Sequence, residues 1–191
     1  VRLFRLSAEQ GFAKAQDTLG HHYHFGLGVP QDYKEAVRLY RLSAQQGFAK
    51  AQYQLGAMYY KGQGVPQDYK KAVKWYRLSA EQGDAQGQSQ LSIMYFLGRG
   101  VPKDYVLAHM WVNLAASNGN KDAIEGISLV EKKMSPQQIV EAQRLARNWK
   151  PTNKIRTAES TPPQPSTPQP PKSDVAIATG TGFLFGSQDY I

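Results

Sequence analysis

Gly47-Phe48-Ala49-Lys50-Ala51-Gln52 opens a stretch that runs to Ala80 and is spelled out again on either side of it. Aligning residues 9–44 with 45–80 gives 25 identities in 36 positions, and the same frame continues with drift through 81–116. Gly11, Gly47, Gly83 and Gly119 fall on one period of 36, as do Tyr23, Tyr59 and Tyr95, and Pro30, Pro66 and Pro102. Self-similarity at 20–50 residues signals a stacked array, in which each unit buries its apolar face only against its neighbours.

The central unit explains the period. From Ala49 to Lys61, Ala51, Leu55, Gly56, Met58 and Tyr59 recur at helical spacing. Gly62-Gln63-Gly64-Val65-Pro66-Gln67 then breaks the helix. Asp68 stands where an N-cap should, and Tyr69 to Gln82 forms a second helix that packs through Ala72, Val73, Trp75, Tyr76 and Ala80, with Gly83 past its end. In the first unit Asp32 is followed by Glu35, a capping-box spacing. Gly20 and Gly56 lie mid-helix, where each costs about 1 kcal/mol against Ala. Close approach to a second helix at Ala36 and Ala72 is the expected compensation. Ser92 replaces glycine in the third unit, so packing against Ala108 is expected to loosen there.

After the third unit the pattern decays. Asn120 to Met134 reads as one more helix, apolar at Ala123, Ile124, Ile127 and Val130. Ser135-Pro136-Gln137-Gln138 is a strong helix start, and the helix to Trp149 is apolar on one face at Ile139, Ala142, Leu145, Ala146 and Trp149. Such a helix seals the end of an array.

Composition narrows the chemistry. The 191 residues include no cysteine, which excludes disulfides, thiolate metal sites and cysteine nucleophiles. No run approaches the ~18 apolar residues of a membrane span. Residues 151–191 hold three bases and three acids, so the whole net charge of +8 sits in residues 1–150. That excess is read as a solvated basic outer face, and without a recognised motif nucleic acid is not the expected partner. His21 and His24 share a helix face, but no third ligand at a fitting spacing completes a metal set, and no metal or cofactor is expected.

The phrase Ala-x-Ala-Gln-x-x-Leu-Gly-x-x-Tyr-x-x-Gly-x-Gly-Val-x-x-Asp-Tyr-x-x-Ala-x-x-Trp-Tyr resembles the Sel1-like repeat, a relative of the tetratricopeptide repeat with a longer loop between its two helices. The resemblance covers about residues 1–134. It implies an all-α, right-handed solenoid of antiparallel helix pairs over residues 1–149. Its units would be a partial one at about 1–12, then 13–48, 49–84 and 85–120, with a cap at 121–149. It also implies an adaptor that holds proteins or peptides, often in bacterial envelopes or signalling assemblies, which leans the expected location toward the periplasm or exterior.

By the same resemblance, the first helices line a concave groove. Its wall would carry Lys14, Asp17, His21, His24 and Phe25; then Lys50, Tyr53, Ala57, Tyr60 and Lys61; then Gln86, Ser89, Ile93, Phe96 and Leu97. Between the two nearly identical units, four of those five positions differ, against seven of the other 31. A constant scaffold with a varied contact surface has that signature. An extended or helical peptide is expected there, gripped by Tyr53, Tyr60 and Phe96, with Lys50 and Lys61 on its acids.

Both ends read as cut: Val1–Ala8 aligns with Val37–Ala44, so the chain opens inside a helix. Residues 150–178 read as a proline-rich disordered linker. Thr179-Gly180-Thr181-Gly182-Phe183-Leu184-Phe185-Gly186-Ser187-Gln188-Asp189-Tyr190-Ile191 resembles the opening of an HtrA-type trypsin-like serine protease domain, without the usual glycine before Tyr190. That resemblance implies a repeat module which recruits for a protease lying beyond Ile191. This chain would itself carry no catalytic set. The alternative is a free-standing adaptor with an unstructured tail.

Overall fold

A computed structural model describes residues 2–152. Nine helices make up the described residues: α1 (Arg2–Glu9), α2 (Ala13–Phe25), α3 (Tyr33–Gln45), α4 (Ala49–Lys61), α5 (Tyr69–Glu81), α6 (Ala85–Leu97), α7 (Tyr105–Ser117), α8 (Lys121–Glu131) and α9 (Pro136–Asn148). No helix among them is long and apolar enough to cross a membrane. The proline-rich stretch from residue 153 onward, and the protease-like segment 179–191, lie outside the described residues.

Local chemistry sets each helix end. Gly62 closes α4 with φ +70°, its amide donating to the Met58 carbonyl, a left-handed conformation that glycine adopts without penalty. A Cβ on Gly64 would strike the Tyr33 carbonyl of the preceding unit, so the loop of one unit rests on a helix start of the one before. Asp68 then caps α5 by accepting from the Lys71 amide at 2.9 Å. Its own amide donates to the Tyr59 carbonyl at 3.0 Å and closes the loop. In the first unit this last bond limits the capping box. The Asp32 amide is taken by the Tyr23 carbonyl, so Glu35 turns outward and forms a bidentate pair with Arg38 instead.

The helices pair as α2/α3, α4/α5 and α6/α7, and α3 packs on α4 as α5 packs on α6. The apolar seam therefore runs through the unit boundaries. Ala36, Val37, Tyr40 and Ala44 of one unit form a single cluster with Ala51, Leu55 and Met58 of the next. Leu19, Leu55 and Leu91 occupy equivalent buried places, each contributing roughly 2 kcal/mol by its burial. The all-α solenoid read from the period is the architecture found.

Two polar clasps repeat along the seam, and the period alone did not reveal them. Buried Gln52 donates to the Ala44 carbonyl across the boundary and accepts from Gln82 at 2.7 Å. Gln16 and Gln88 do the same with Ala8 and Gln46, and with Ala80 and Asn118. On the same boundaries Arg5, Arg41 and Arg77 donate to the hydroxyls of Tyr23, Tyr59 and Tyr95.

The mid-helix glycines face rings as well as backbone. A Cβ on Gly20 would lie 2.9 Å from the Tyr40 ring, and one on Gly56 would lie 2.7 Å from that of Tyr76. In the third unit both partners change together. Ser92 donates its hydroxyl to the Ala108 carbonyl at 2.7 Å, and the ring position is Val112.

The far end is built by α8 and α9. Asn120 caps α8 through the Ala123 amide, and Ser135 and Gln138 exchange both capping-box bonds at the start of α9. Buried His109 of α7 contacts Glu131 through Nε2 at 3.0 Å and Asn113 through Nδ1 at 2.9 Å. With the Asn113 amide donating to Nδ1, Nε2–H donates to the carboxylate and ties α8 to α7. The helix α9 lies against α7, where Trp149 meets Trp111 edge-on with centroids 5.9 Å apart. Ile124, expected in this packing, is 60% exposed. Ala123, Ile127 and Val130 alone take the inward face of this short helix.

Candidate functional site

The wall formed by α2, α4 and α6 carries its side chains in rows, because each unit repeats the last after 36 residues. Direct contact between α4 and α6 sets these two first helices side by side. Continuing the count brings α8 into the same wall, which the decaying sequence pattern concealed. The rows then read Lys14, Lys50, Gln86, Asp122; Asp17, Tyr53, Ser89, Glu125; and His21, Ala57, Ile93, Leu129. Toward the helix ends follow His24, Tyr60, Phe96 and Phe25, Lys61, Leu97. Lys14, Phe25, Lys50, Lys61, Gln86, Ile93 and Leu97 are exposed; His21, Tyr53, Ala57, Tyr60, Ser89 and Phe96 are half-buried.

Asp17 and His24 are the two members of the expected set that the fold buries, at 4% and 7% exposure. Asp17 faces inward, and one of its carboxylate oxygens has no hydrogen-bond partner. Burial raises its pKa to about 6, with nearby Lys50 opposing the shift. The His24 ring stacks on Phe25 and lies 3.4 Å through Nδ1 from the Tyr40 hydroxyl. Burial and the neighbouring Lys61 and His21 push its pKa down. His21 is likewise shifted down, by burial and by Lys50. The pair at i, i+3 thus divides, one ring turned into the core and one on the wall.

Aromatic side chains of the wall are held from behind. His24, Tyr60 and Phe96 each pack against the tyrosine that starts the second helix of their unit, with centroid separations of 5.6, 5.4 and 5.5 Å to Tyr33, Tyr69 and Tyr105. Tyr60 is further fixed by Arg99 of the next loop, which donates to its hydroxyl at 2.5 Å and places its guanidinium 5.5 Å above the Tyr69 ring. Tyr53 leans on Tyr76, at 6.1 Å. Such support fixes rotamers before any ligand arrives and lowers the entropy cost of contact.

The wall deepens at one place. Ser89, Ser92, Ile93 and Phe96 of α6, Val112 of α7 and Ala123, Gly126 and Val130 of α8 enclose a hollow of about 280 Å³. Its charged lining residues are Asp122 and Glu125, and Leu129 stands at its edge, 58% exposed. Positive ammonium groups at Lys14 and Lys50 therefore give way to carboxylates along one wall.

The family model described as Sel1 repeat matches residues 13–48, 49–84 and 85–120. Among solved structures, the chain is similar to a protective antigen present in uropathogenic Escherichia coli strains, described as displaying an SLR fold. The two share 33% identity with a TM-score of 0.74, over 94% of this chain and 37% of that one. It is also similar to a Sel1 repeat protein from Oxalobacter formigenes, with 34% identity and a TM-score of 0.63, over 72% of this chain and 58% of that one. No curated protein matches it. The chain thus spans less than two thirds of the length of either solved relative.

Proposed function

The chain belongs to the Sel1 repeat family, a family of protein-interaction modules, and from that premise we propose that its inner wall holds a peptide segment of a partner protein. The segment lies across α2, α4 and α6, contacting Tyr53, Tyr60 and Phe96, with Lys14, Lys50 and Lys61 facing its acidic residues. One observation carries this reading: between the first two units, four of the five counted wall positions differ (17/53, 21/57, 24/60 and 25/61) against seven of the other 31. Rings braced from behind and lysines at the lip suit such a ligand. Peptides selected on the full chain from a displayed random library test it. Tyr60→Ala and Phe96→Ala should each weaken binding by more than about 1 kcal/mol, while Lys74→Ala on the opposite side should not. Unchanged affinity in both inner variants would contradict the reading.

A second reading extends the first. The resemblance of residues 179–191 to the opening of an HtrA-type protease domain favours a module that recruits substrate or regulator to an active site beyond it, by raising local concentration through a tether. The reading frame past Ile191 decides this. A Thr-Asn-x-His segment supports the recruiter, and its absence leaves a free-standing adaptor.

A further inference from the structure

In the first two units a tyrosine of the second helix, Tyr40 or Tyr76, fills the space beside a mid-helix glycine, Gly20 or Gly56. Tyr76 also leans on Tyr53 of the wall. Adding one period to these partners gives Ser92 for Gly56, Ser89 for Tyr53 and Val112 for Tyr76. All three line the hollow between α6, α7 and α8. The hollow is therefore the volume that the fold fills elsewhere with its own ring. Only here has that ring been replaced by a small side chain, so the space opens onto the wall.

Its chemistry is definite. Ser92 commits its hydroxyl hydrogen to the Ala108 carbonyl, which leaves Val112, Ala123 and Val130 as an apolar floor. Ile93 and Leu129 extend that surface to solvent, at 39% and 58% exposure. Asp122 and Glu125 line the same hollow, and neither is ion-paired among the described residues. An apolar floor favours an apolar side chain by its desolvation, and two carboxylates beside it favour a cation a few atoms away.

We infer that this hollow is the specificity pocket of the wall: it takes a leucine- to phenylalanine-sized side chain of a partner segment that carries arginine or lysine within about one helical turn of it. This rests on the peptide-holding reading and adds the ligand's sequence and direction. The cationic end lies at α8, and the acidic end lies toward Lys50 and Lys14.

The test uses the full chain and twelve-residue peptides enriched on it from a random displayed library, then synthesised with a fluorophore and titrated by anisotropy. Enriched sequences should pair Leu, Ile, Met or Phe with a nearby Arg or Lys. Ser92→Gly/Val112→Tyr, which rebuilds the pair of the second unit and closes the hollow, should weaken binding by about tenfold or more. Asp122→Asn/Glu125→Gln, confined to exposed positions, should weaken it by about fivefold and reduce its salt dependence. If the first variant fails to fold, the second decides. Peptides that lose affinity on Lys50→Ala/Lys61→Ala or Tyr60→Ala, yet bind both pocket variants as well as the parent, would overturn the pocket while leaving the wall reading in place. Peptides indifferent to every inner variant and sensitive to Lys74→Ala would overturn both.

Discussion

The ring of Tyr76 occupies the space that a side chain at Gly56 would need: a Cβ built there lies 2.7 Å from Cδ1 of the ring and 3.3 Å from the Ala72 carbonyl. Helix propensity alone favours alanine at that position by about 1 kcal/mol. Overpacking a core typically costs about 1–3 kcal/mol, so contact should win. Gly56→Ala is expected to destabilise the chain by up to about 2 kcal/mol in urea titration. A variant more stable than the parent would mean that the ring swings aside freely.

The glutamine clasp should matter more than an exposed polar contact. Gln52→Leu removes one bond to the Ala44 carbonyl, which keeps its Gly47 amide, and one from the Gln82 side chain, which keeps the Leu78 carbonyl. Each bond is worth about 0.5–1.5 kcal/mol net, so losing both should cost about 1–3 kcal/mol. The denaturation midpoint should fall with the slope unchanged, as expected when stability alone is altered. A midpoint equal to that of the parent would make the clasp incidental.

Asp17 supplies the pH dependence. Its folded-state pKa is raised from 3.8 to about 6, chiefly by burial. The folded chain thus binds this proton more tightly than the unfolded one. The penalty is absent below about pH 4, grows between about pH 4 and 6, and is complete above that. Asp17→Asn removes the buried charge, so it should stabilise the chain by about 1–3 kcal/mol at pH 7.5 and by far less near pH 4. Thermal melts of both proteins at the two pH values check it. An equal difference at both would contradict the assignment.

Much of this was legible in the letters. A strict 36-residue period, glycines past the helix ends of the three units and aspartates capping their second helices dictate paired helices that stack, because each of these acts within one or two turns of itself. What the letters did not disclose is relational. Gln52 looks like a surface residue until Ala44 of the preceding unit and Gln82 at the end of the second helix in its own unit close over it. Asp17 and His24 sit at wall positions by counting, yet the fold buries both, with His24 stacked on Phe25 and beside the Tyr40 hydroxyl of α3. Ser92 read as a loosened contact, whereas it is one half of a paired change with Val112 that opens a hollow. The acidic residues Asp122 and Glu125 could have been found by adding 36 once more to Gln86 and Ser89, past the point where the motif fades.

The central proposal is that the inner wall is the surface that meets a partner. Photo-crosslinking measures that directly, with benzoylphenylalanine placed singly at Ala57 and Ile93 on the wall and at Arg38 and Lys74 on the second helices, in cells that make the full protein. One common adduct should form from Ala57 and Ile93, and none of it from Arg38 or Lys74. The same adduct formed from Arg38 and Lys74, with Ala57 and Ile93 silent, would contradict the proposal.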